Sequence, residues 1–222
     1  MNNQNNKVPS MPRLNSFERF TKVSVWPAYA GCLWAIIYAV FVRFYQSAGG
    51  QIGMPGQLKE AEGFYMASYI AGVIIMFCGL VLIALVKPWS RVVPDWVPLI
   101  RGKKIQRLII LIPTLLCTAF LIAHGISGII TKALLLGGFI TIDFPGWLVL
   151  DVRSLALWDL LIYEPWFVIM GIFAGLTATH YAQASNAPIS RFRRSTILLY
   201  LAFVFLLTTF FVLAIIYDFG KI

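Results

Sequence analysis

Hydrophobic positions in this chain do not alternate with polar ones. They gather into five long blocks, at about residues 25–44, 65–86, 108–130, 155–181 and 197–217, separated by polar or proline-rich segments. An α-helix needs about 20 mostly apolar residues to cross ~30 Å of hydrocarbon at 1.5 Å per residue. The pattern therefore predicts an all-α polytopic transmembrane helical bundle of about five spans. It forms one domain over 23–222, behind a polar cytoplasmic N-terminal stretch, 1–22, that reads as disordered because it is too poor in apolar side chains to fold alone. The first block reads as a retained anchor. It is longer than the apolar core of a signal peptide, and its small-residue pair Ala28 and Ala30 lies at its start rather than after it.

Composition agrees with the pattern. The chain is 59% hydrophobic and 12% charged, where a soluble domain has about 45–50% and about 25%. The net charge of +9 would suit a nucleic-acid binder, but its placement argues against that. Basic residues concentrate in the N-terminal stretch, the 87–107 loop and the 191–194 cluster. Only Arg43, Lys59, Lys132, Arg153 and Lys221 fall on the other side. That asymmetry orients a multi-pass protein with its N-terminus inside and its C-terminus outside. It also makes the bilayer the expected partner: anionic headgroups meet the basic loops, with Trp89 and Trp96 at the boundary.

The fourth block carries what chemistry the sequence offers. Asp159 and the Glu164-Pro165 pair interrupt it. A carboxylate at such depth is costly in lipid and should face protein or water. Glu164, Gly171 and Gly175 return to one helical face at spacings of seven and eleven. Gly171-x-x-x-Gly175 is a small-residue pattern for close helix packing, within the chain or with a partner or second copy. In the third block Cys117, His124, Gly128 and Thr131 share a face. His124 and Glu164 come out at similar depth, about 10 and 13 Å from the outer surface. A Glu164–His124 contact is thus predicted, extended by Asp159, Arg153 or Arg43. Arg43 also has the length to reach the headgroups from its outer position. The bland reading of His124 is a neutral imidazole bonded to a neighbouring helix.

Two outer segments flank this constellation. The loop after the first span is rich in glycine (Gly49, Gly50, Gly53, Gly56) and fits a turn better than a nucleotide cradle, because no strand precedes it. Residues 132–154 are too broken by Asp143, Pro145 and Gly146 to form a sixth span, and read as an interfacial or re-entrant cap. Metal and cofactor chemistry find no support: no H-E-x-x-H or Cys/His cluster occurs, and His180 lies far in depth from His124. Nor is there a nucleophile motif, so no catalytic residue is assigned. Cys32, Cys78 and Cys117 have no C-x-x-C spacing and read as buried structural thiols.

Four motifs carry a resemblance: W-P-A-Y-A-G-C-L-W-A from Trp26, A-G-G-x-x-G-x-P-G from Ala48, K-P-W-S-R-x-x-P-x-W from Lys87 and W-D-L-L-I-Y-E-P-W-F from Trp158. Together they resemble a family of small bacterial multi-pass membrane proteins marked by Y-E-P-W-F. The resemblance implies a bacterial cytoplasmic membrane and supplies no activity. The expected role is a non-enzymatic accessory, sensory or protective membrane protein. The alternatives are a small transporter or channel-like component gated by Glu164 and His124, or a membrane-embedded enzyme using them as acid and base.

Overall fold

The computed structural model describes residues 16–87, 92, 93, 95, 98, 101–185 and 193–221. Five of its helices are long and apolar enough to cross a membrane: α2 (Trp26–Ser47), α3 (Ala61–Val86), α4 (Arg107–Leu136), α5 (Val152–Ala184) and the Ile197–Tyr217 part of α6 (Arg193–Phe219). A short helix, α1 (Ser16–Val23), precedes them. The strands are β1 (Gly56–Leu58), β2 (Thr141–Ile142), β3 (Trp147–Leu150) and β4 (Gly220–Lys221). The architecture is thus an all-α bundle with small strands at one end, here called the capped end.

α5 is the hub. It packs on α4, α2 and α3, and α1 lies against it at the opposite end. α3 sits on α2, and α6 sits on α4. Small residues allow these approaches. Gly79 on α3 leaves room for Cys32 and Ala35, and Gly72 for Phe44 and Arg43. Gly171 faces Ile122, and Gly175 faces Thr118. The Gly171/Gly175 stripe is therefore filled by α4 of the same chain. Of the options the spacing left open, packing within the chain is the one these contacts show. Hydroxyls inside the spans bond their own helix: Thr118 donates to the carbonyl of Thr114, Thr131 to that of Ser127 and Thr177 to that of Phe173. This satisfies them without help from lipid. Ala28, Leu82, Leu85, Ala174 and Tyr181 form an apolar core towards the uncapped end.

The third span runs six residues past its expected end at Ile130. Ala-Leu-Leu-Leu continues the helix well, and it stops where Gly137 and Gly138 follow, Gly138 taking φ +74°. α5 begins three residues early because the Asp151 carboxylate accepts the Ser154 amide at 3.0 Å. Residues 16–22, included in the stretch read as disordered, form α1. Its placement comes from α5: His180 Nδ1 lies 2.9 Å from the Thr21 carbonyl oxygen, and the Gln183 amide donates to the Thr21 hydroxyl. The rest of that stretch, 1–15, lies outside the described residues, as do Trp89 and Trp96.

The cap over this end is built from paired strands. β1, in the loop after α2, pairs antiparallel with β3, Gly56 opposite Leu150 and Leu58 opposite Trp147, with a bulge between Gln57 and Leu58. β2 pairs antiparallel with β4. Gly56 suits its place because a Cβ there would strike the Val149 carbonyl across the pair. The segment between α4 and α5 thus satisfies its backbone partly through the other loops at that end.

Candidate functional site

Two features of helix geometry converge beneath the cap. α2 contains a π-helical segment over Ala39–Phe44, and α5 contains one over Asp159–Tyr163. The second has a cause in the sequence. Pro165 has no amide to give the carbonyl four residues back, so the ladder shifts just ahead of it. Nothing comparable explains the segment in α2. Such insertions swing side chains away from regular spacing and recur at functional sites. Here they set Tyr38 and Arg43 at one, and Asp159, Tyr163 and Glu164 at the other, around a shared space.

That space is a partly open cavity of about 180 Å³. Its walls come from α2 (Tyr38, Arg43, Gln46), α4 (His124), α5 (Leu155, Asp159, Tyr163, Glu164, Phe167) and Phe64 of α3. Gly53 and Met54 of the first loop and Trp147 of β3 complete it. Gly53 adopts φ +77°, and a Cβ there would meet the Tyr163 hydroxyl, which donates to the Ile52 carbonyl at 3.5 Å. The glycine-rich loop is therefore a turn that seats against the site.

Glu164 and His124 meet as predicted. His124 Nε2 stands 3.9 Å from Glu164 Oε2, within ion-pair range and beyond a hydrogen bond. Gly128, one turn along α4 from His124, makes the approach possible, because a Cβ there would overlap the Glu164 carboxyl. The imidazole stacks on Phe120 at 5.9 Å between centroids and meets Phe167 edge-on at 4.8 Å. Asp159 joins the site through Lys132, whose Nζ lies 2.9 Å from Oδ2. Arg43 faces the cavity beside Tyr38, its guanidinium 5.5 Å from the ring centroid, rather than reaching out to headgroups. Arg153 does not line the cavity. It is exposed at the start of α5. Three buried atoms here have no hydrogen-bond partner among the described residues: Glu164 Oε2, Arg43 Nε and Gln46 Oε1.

Lys132, Gln46, Tyr38 and Tyr163 are the residues that sequence reasoning missed. Lys132 follows His124 by eight, a spacing that keeps one helical face. Gln46 follows Arg43 by three, so both were open to detection. The two tyrosines looked like ordinary members of apolar runs.

One turn farther from the cap, Trp34 and Trp166 seal the α2–α5 contact. Each indole donates to the other's carbonyl at 3.3 Å, and the rings stack 4.0 Å apart. Tyr38 leans on both Trp166 and Phe167 above them. Among the described residues no group of three or more metal-ligating side chains gathers anywhere.

Fold and site together define a class: a multi-span apolar helical bundle with a polar cavity under a cap at one end. No family model, curated protein or solved structure matches the chain.

Proposed function

We propose that the protein is an integral membrane binding protein whose capped cavity holds a small polar ligand. The observation that carries this reading is the set of unpartnered buried atoms around the cavity. A bundle that used Glu164 only for packing would satisfy both its oxygens, because an unmet buried acceptor is costly. The asymmetry of basic residues supports N-in/C-out insertion, with the cavity facing outward, and the motif resemblance favours a bacterial cytoplasmic membrane. Binding without chemistry suits an accessory, sensory or protective role. Transport fits less well: the Trp34–Trp166 pair and the Tyr38–Phe167 contact close the space towards the other end.

The test is a thermal-unfolding screen of the detergent-purified chain against small amines, carboxylates, phosphates and zwitterions. A ligand at 100 times its Kd adds about 2.7 kcal/mol of stability, a shift of several degrees. At least one solute should raise the midpoint of the native chain and leave Leu155→Trp, which fills the cavity, unmoved. A screen in which no class gives a cavity-dependent shift removes the proposal.

A further inference from the structure

Within that reading, the charges identify the ligand's class. Lys132 and Asp159 neutralise each other at 2.9 Å. Arg43 and Glu164 line the same cavity, yet neither ion pair of the described residues joins them. The orphaned atoms follow the same division. Among the described residues, Glu164 Oε2 and Gln46 Oε1 are acceptors lacking a donor, and Arg43 Nε is a donor lacking an acceptor. Glu164 is 8% exposed and Gln46 5%, so bulk water does not serve them freely. His124 Nε2, 3.9 Å from Glu164 Oε2, is too distant to supply the missing bond.

We infer that the cavity takes a small zwitterion, its ammonium group donating to Glu164 and Gln46 and its anionic group accepting from Arg43. Each end of such a ligand meets an opposite charge, and the complex stays neutral in a setting that penalises net charge. A lone cation or anion reaches only one of the two sets of orphaned atoms. The volume of about 180 Å³ is enough for an amino-phosphate or amino-carboxylate group. Two sources offer this chemistry: the headgroup of an aminophospholipid and a free solute.

Thermal unfolding of the full chain separates these cases. Free phosphoethanolamine is compared with ethanolamine and with inorganic phosphate, and nanodiscs of phosphatidylethanolamine with nanodiscs of phosphatidylglycerol. One zwitterionic probe should stabilise at concentrations at least tenfold below either single-charge probe. Glu164→Gln, Arg43→Gln and, as a milder change that keeps all charges, Gln46→Met should each weaken that effect by tenfold or more. Stabilisation by the lipid with none by free phosphoethanolamine assigns the headgroup, and the reverse assigns a solute; both support the zwitterion. If ethanolamine or phosphate alone matches the zwitterion, or if the effect survives all three substitutions, the inference falls. The binding reading survives the first of these outcomes when Leu155→Trp abolishes the shift.

Discussion

α5 and α6 are both apolar enough to cross a membrane, and they behave in opposite ways. In α5, 33% of the most apolar 18-residue window is buried; in the fifth span the figure is 6%. α5 has the lower hydropathy of the two, and it is broken by Asp159, Glu164, Pro165 and glycines. The fifth span reads L-L-Y-L-A-F-V-F-L-L and touches chiefly α4, where the Tyr200 hydroxyl donates to the Leu115 carbonyl at 3.3 Å. Greasiness alone earns a helix no central place, because lipid is as good a neighbour for leucine as protein is. Small residues that admit a neighbour, and polar ones that need shielding, decide which helix becomes the hub.

The sharpest way to break this contrast is to fill the α4–α5 contact. Gly171→Leu drives a side chain into Ile122, and the expected loss is about 3 kcal/mol, read as a lower midpoint in denaturant or thermal unfolding. Next comes the ion pair. Asp159→Leu leaves Lys132 without its partner in a site only 14–18% exposed, with an expected loss of about 2 kcal/mol, below the 3–5 typical of full burial. Adding Lys132→Met should recover most of it in a double-mutant cycle. The smallest effect belongs to the peripheral helix: Leu206→Ala, 65% exposed, should stay within about 0.5 kcal/mol. A loss there comparable to that of Gly171→Leu would mean that the fifth span is no mere lipid-facing helix.

Much of the fold was legible because a membrane span is a one-dimensional signal, set by length and apolarity. The Glu164–His124 meeting was legible for a related reason: depth along two regular helices can be counted from their ends. What escaped was whatever departs from regular counting. The π-helical segments displace Arg43 and Asp159 from the directions a uniform 3.6-residue turn gives them. The β1–β3 pairing joins residues some 90 positions apart, with nothing in either short segment to announce the other. Trp34 and Trp166 looked like two ordinary aromatics until each proved to hold the other's carbonyl. Cys78 and Cys117, which no sequence spacing connects, likewise have thiols in hydrogen-bonding reach across α3 and α4.

The roof strands have a kinetic consequence. α2 and α5 are tied at two levels, by the paired tryptophans and by β1–β3 above the cavity. The lower tie is stacked rings between packed helices, whereas the upper is a few backbone bonds interrupted by a bulge, between loops that turn on glycine. Local opening follows the weaker element. Opening at the capped end is therefore expected to begin with the three-residue ribbon lifting from its partner, while the helices beneath it stay packed.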